Sequence, residues 1–133
     1  MIYRGSTPTH TFVFPFELKN ITNMYITYRQ KGCNVLQKNF EDDFESFTAD
    51  LENKEVNVLL SQKDTLAFSC GEKYTDNIVE IQVRVLLESG SVVASDPIRD
   101  RVCNVAADFV MHDTDKRLSD TVIVYDGGDV GNN

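Results

Sequence analysis

Tryptophan is absent, histidine occurs only as His10 and His112, proline occurs three times, and 13 basic residues face 21 acidic ones along 133 positions. Each scarcity removes a class of function. Neither histidine sits in a nucleophile or metal signature, so an acid–base or Cys–His constellation has little to be built from, and no enzyme activity is expected. The bases are scattered: Lys116-Arg117 and the pair Arg99 and Arg101 are interleaved with acids. With a formal charge of −8 and a pI near 4.6, a phosphate-neutralising stripe is lacking and nucleic acid is not an expected partner. Cys33, Cys70 and Cys103 are odd in number, widely spaced and without a C-x-x-C, which signals neither a zinc site nor a disulfide framework and reads as buried free thiols. No G-x-x-x-x-G-K-[ST] occurs, and Glu41, Asp42, Asp43 and Glu45 lack the calcium-loop spacing, so the acids read as a solvated loop and no cofactor or metal is expected. No apolar run approaches 18 residues, and no basic region leads into an apolar one near the start. The expectation is a chain made in a reducing cytoplasm, without a membrane as partner.

What the sequence does have is alternation. In HTFVFPFEL, Phe12, Phe14, Phe16 and Leu18 fall on one face of an extended segment and Thr11, Val13 and Pro15 on the other, with Pro15 marking an edge or bulge. Met24, Ile26 and Tyr28 alternate with Tyr25, Thr27 and Arg29, and Lys31-Gly32 is a turn signal before CNVLQKNF. The acidic connection after Phe40 leads to a short strand near Phe47 to Leu51, and Asn53 offers a turn before EVNVLLS. In SQKDTLAF, Ser61 and Asp64 make an imperfect capping box for one turn of helix that sends Leu66 and Phe68 to the core. In IVEIQVRVLL, Val79, Ile81, Val83, Val85 and Leu87 share a face, Glu88 to Ser91 reverses the chain, and Pro97 breaks the return strand before it resumes at Ile98 to Val102.

About seven short strands spaced by turns, with no long helix, predict an all-β chain: an antiparallel β-sandwich, immunoglobulin-like or jelly-roll-like, over residues 1–110. Residues 111–133 read as an acidic tail or arm. Within it, Thr121, Val122, Ile123, Val124 and Tyr125 form a β-prone run that is an aggregation hazard unless paired. Two readings stand side by side: a last strand of the protein's own sandwich, or a segment added to the sheet edge of a neighbouring copy or another protein. The first residues, including Tyr3 and Arg4, likewise read either as a lead into the Phe row of the core or as an arm that docks on a partner.

Three stretches, MIYRGSTPTHTFVFPF, VNVLLSQKDTLAF and EIQVRVLLESGSVVASDPI, resemble a group of small proteins encoded in bacteriophages and prophages of gut bacteria. The resemblance covers residues 1 to 103 and leaves the tail aside. It implies a virion component, an immunoglobulin-like or jelly-roll-like module of a head, neck, tail or baseplate, whose partners are other virion proteins or many copies of itself. It carries over no catalytic or ligand-binding residue. A different class also fits, a β-sandwich that binds host-surface carbohydrate or another receptor, with Tyr25, Tyr28 and Tyr74 beside Asp76 and Asn77 as the sugar contacts.

Overall fold

A computed structural model of the protein describes residues 1–105 and 110–121. Among these residues nine strands follow one another: β1 (Ile2–Tyr3), β2 (Thr9–Val13), β3 (Ile21–Gln30), β4 (Cys33–Asn39), β5 (Phe47–Asp50), β6 (Glu55–Leu59), β7 (Ile78–Leu87), β8 (Val92–Ala94) and β9 (Ile98–Cys103). Among the described residues the α-helices are two short ones, α1 (Gln62–Leu66) and α2 (Leu118–Thr121).

The strands form two sheets. The larger runs β1-β9-β7-β3-β4, with β8 also on β7; the smaller runs β2-β6-β5. All pairings are antiparallel except β1 with β9, which is parallel. The alternation of the sequence decides which faces meet. Met24, Ile26 and Tyr28 of β3 and Val79, Ile81, Val83 and Val85 of β7 turn inward, and Phe12, Val56 and Val58 of the smaller sheet close over them. Each such side chain contributes about 1.5–3 kcal/mol on burial. The chain is therefore an antiparallel β-sandwich. Its strand order is that of a variable-type immunoglobulin domain: β9-β7-β3-β4 stand as G-F-C-C′ and β2-β6-β5 as B-E-D.

Local chemistry explains the connections. Gln30 pairs with Cys33 across Lys31 (φ 51°) and Gly32 (φ 75°), a two-residue turn with both central residues left-handed, as the right-handed twist of the flanking strands requires. At α1 the capping box is present in full: Asp64 N–H donates to Ser61 Oγ at 3.1 Å, and Ser61 N–H donates to Asp64 Oδ2 at 2.8 Å. Phe68 reaches the core as expected, but its companion there is Thr65 rather than Leu66. The return strand after Gly90 is split by Ser95-Asp96-Pro97 into β8 and β9, both lying on the same flank of β7. That split and the two-residue β1 raise the strand count from about seven to nine.

The expectation of buried thiols is corrected. Cys33 is exposed because it opens the edge strand β4, while Cys70 and Cys103 are half-buried, and all three are free.

Lys54 ends the loop between β5 and β6 at φ 57°, a region that disfavours any residue with a Cβ other than Asn or Asp, and its ammonium stands 3.8 Å from the exposed Glu17. Lys54→Asn keeps the backbone carbonyl that receives Phe14 N–H and relieves the backbone. It is expected to raise stability by about 0.5–1 kcal/mol in urea unfolding at pH 7.

Candidate interaction surfaces

Polar groups tie the two sheets together at the α1 end of the sandwich. His10 Nδ1 of β2 lies 2.7 Å from the hydroxyl of Tyr28 of β3, which is fully buried. Burial holds the His10 imidazole below its ordinary pKa, against an opposing pull from Asp100, and burial pushes the Tyr28 phenol up. Lys38 Nζ of β4 meets Asp64 Oδ2 at 2.7 Å with both side chains largely covered, so Asp64 serves the helix cap and the ion pair at once. Gln30 exchanges two hydrogen bonds with the backbone of Ser69, at 2.9 and 2.8 Å. These groups satisfy one another, which is what buried polar atoms require.

The first residues belong to this clamp, which corrects the reading of a detached arm. Ile2 is fully buried and β1 is a strand of the protein's own sheet. Arg4 turns its guanidinium inward: Nε donates to the Phe68 carbonyl at 2.8 Å and Nη2 to the Leu66 carbonyl at 3.0 Å, capping the end of α1. Gly5 N–H donates to Thr65 Oγ1 at 2.9 Å, and that hydroxyl donates to the Ser6 carbonyl at 2.8 Å. Tyr3, at the sheet edge, remains 48% exposed. At the other terminus Thr121 is the last residue of α2, and Val122, Ile123, Val124 and Tyr125 lie outside the described residues.

The set proposed for sugar contact separates. Tyr28 is enclosed and cannot touch a ligand, because the face of β3 that carries it is the core face. Tyr25 is on the opposite face, beneath the guanidinium of Arg84 at 5.9 Å. Asp76 pairs with Lys31 at 2.8 Å, and that contact holds its carboxyl below the usual range. The side chain of Tyr74 lies outside the described set.

Two surfaces come into view that sequence reasoning missed. The first is the outward face of the larger sheet. Register places Arg29 across from Glu80, Glu80 across from Arg99, Tyr25 across from Arg84 and Ile78 across from Arg101, so four of the six arginines share one face with Thr27, Gln37 and Gln82. A polar concavity of about 520 Å³ sits among Thr27, Arg29, Gln37, Gln82 and Arg84. The alternation signal was present, but which face turned out was not.

The second is an apolar groove of about 330 Å³ between β2 with its extension Phe14-Pro15-Phe16 and the strands β7, β8 and β9. Phe12 and Leu18, the ends of the Phe row, are buried, while Phe14 and Phe16 are only half-buried and stack at 5.7 Å along the groove wall. The row is thus part core and part open surface.

No protein-family model and no curated protein matches the chain. Among solved structures, the V domain of amphioxus IgVJ-C2 aligns at 12% identity over 77% of this chain and 95% of that one, with a TM-score of 0.32. Drosophila OTK extracellular domains 3-5 align at 17% identity over 78% of this chain and 30% of that one, with a TM-score of 0.30. The assignment of the sandwich stands on the strand order and register given above.

Asp64→Ala removes a cap and strands the Lys38 ammonium in a covered site, and is expected to cost about 3 kcal/mol in urea unfolding. Adding Lys38→Met should recover at least about 1 kcal/mol of that, since the orphaned charge is gone; strict additivity would show the two groups uncoupled.

His10 has a folded-state pKa below its unfolded value of 6.5. The unfolded chain therefore binds the extra proton first, so the contribution is complete above about pH 6.5 and is lost as pH falls towards the lowered value. Stability should drop between pH 7 and pH 5, and His10→Gln should drop less steeply over the same window when both are unfolded in urea.

Proposed function

We propose that this protein is a structural or accessory component of a bacteriophage particle, made in the host bacterial cytoplasm and acting through protein–protein contact. The sandwich is a rigid spacer, and residues 121–125 add as a strand to a neighbouring sheet. The observation that carries the contact reading is the outward face of the larger sheet. Four arginines, Tyr25 and a set of amides gathered on one face of a chain of net charge −8 have the composition of an interface centre, where Arg and Tyr are enriched and Lys and Glu are depleted. The local positive field selects an acidic partner. The virion assignment is supported by the phage and prophage resemblance of residues 1 to 103. Small modules in many copies suit such a particle because repeated weak contacts add avidity.

A second reading is favoured by the same concavity: Gln37, Gln82, Arg29 and Arg84, with Tyr25 beneath Arg84 at its side, would hold a host-surface glycan through amide and guanidinium hydrogen bonds. Mass spectrometry of purified particles from a lysogen carrying the gene should find the chain at a fixed ratio to the major structural protein, with Arg84→Glu lowering its incorporation by at least tenfold. Particles without the chain overturn the virion reading, and glycan-array binding lost on Arg84→Glu replaces it with the second.

A further inference from the structure

Among the described residues the smaller sheet ends in β2, with one edge unpaired. Pro8 and Phe14 exchange hydrogen bonds with β6 and its extensions, Leu60 N–H to the Pro8 carbonyl at 3.0 Å and Phe14 N–H to the Lys54 carbonyl at 2.9 Å. Because donors and acceptors alternate along an antiparallel strand, those of Thr9, Thr11 and Val13 point the other way. No strand among the described residues takes them. In an immunoglobulin sandwich this flank is the place of strand A, beside B; here the first strand lies in the other sheet instead, along β9. The apolar groove opens beside this vacant flank, walled by Phe14, Phe16, Val85, Val93 and Ile98, with Val13 at its lip 69% exposed. An unpaired edge next to an apolar slot is the geometry that accepts an added strand.

We propose that this groove receives residues 121–125 of a second copy of the chain, laid along β2 as a further strand, so that copies join head to tail. The proposal rests on the protein-contact reading above and gives it an acceptor. Four features argue for this occupant. The edge Thr9–Val13 is five residues long, and residues 122–125, joined by Thr121 once it leaves the end of α2, match it. Val122 and Val124 alternate with Ile123 and Tyr125, so either face of the added strand offers apolar side chains to the slot. Asp120 and Asp126 bound the run, placing charges at the ends of the groove and not within it. Last, the chain's own approach starts from the wrong end: Met111 is anchored on Gln62, by hydrogen bonds of 2.9 and 2.5 Å, at the Pro8 end of β2, whereas the groove opens at the Phe14 end. None of residues 110–121 lines it. Each contact joins a donor on one copy to a groove on another, so copies build open rows or closed rings, the smallest ring being a reciprocal pair.

The test uses full-length chains in size-exclusion chromatography with light scattering. The wild type should gain mass with concentration in whole multiples of one chain. Ile123→Asp, which spoils the donor, and Val93→Asp, which spoils the groove, should each weaken association at least tenfold. An equimolar mixture of the two variants should form a dimer and stop, because it holds one sound donor and one sound groove. Should Val93→Asp fail to fold, Ile98→Asp on the same wall replaces it. A wild type that is monomeric throughout overturns the proposal, and if Ile123→Asp then melts lower, the segment occupies its own chain. Assembly that survives both substitutions also overturns it, yet leaves the protein-contact reading intact; that reading fails separately, when particles lack the chain.

Discussion

Two ten-residue strands, β3 and β7, lie antiparallel side by side, with Met24 opposite Val85, Ile26 opposite Val83 and Tyr28 opposite Ile81. Everything else takes its place from this pair. The remaining edge of β3 receives β4 through a two-residue turn, and that of β7 receives β8 and β9. Because side chains alternate, a slip of one residue would send that apolar row to solvent and bring Thr27, Gln82 and Arg84 into the core. Irregularities in register at Ile21/Asn23 in one pairing and Tyr28/Arg29 in the other bend β3 locally without disturbing its inward set.

The core so defined must then be covered, and the covering is uneven. Antibody-type domains pin their sheets with a disulfide packed against a tryptophan; this chain has Phe12, the β7 valines and Tyr28 there, and no disulfide among its free cysteines. The polar ties, His10 with Tyr28 across the sheets, Gln30 with Ser69, and Arg4 and Gly5 with α1 and the residues after it, gather at the end where β3 finishes and β7 begins. At the opposite end Phe14 and Phe16 face β8 across the apolar groove, and that is where the sheets part. Rigidity and openness thus sit at opposite ends of one sandwich.

Much of this was legible in the sequence for a physical reason: alternation, caps and turns are local. The buried faces of β3 and β7, the Ser61–Asp64 box, the Lys31-Gly32 reversal and the break at Pro97 each depend on residues within ten positions of one another. What stayed hidden depends on distant partners. Two residues of β1 carry no pattern of their own, and only β9, about 100 positions away, makes them a strand. Tyr25 and Tyr28 look alike in the alternation, and only the packing of the smaller sheet decides which is enclosed. The arginine face was invisible because Arg29, Arg84, Arg99 and Arg101 are scattered in the chain and meet only through register. The half-open Phe row was read as a whole because periodicity reports a shared face and not what covers it.

An unpaired strand edge is a liability that most sandwiches blunt with lysine, a bulge or a covering loop. Among the described residues the edge of β2 has none of these along Thr9–Val13, and Pro15 follows it. Its protection is of longer range. At a net charge of −8 two copies repel once their surfaces come within about a Debye length, about 8 Å at physiological ionic strength. Strand addition and apolar contact act only at touching distance, so whatever joins at this edge must first be brought close. The arginine face of the larger sheet attracts acidic groups over that intervening range. In the assembly proposed above, attraction at one face and short-range pairing at the β2 edge are complementary: the first would select and orient a neighbour, and the second would hold it.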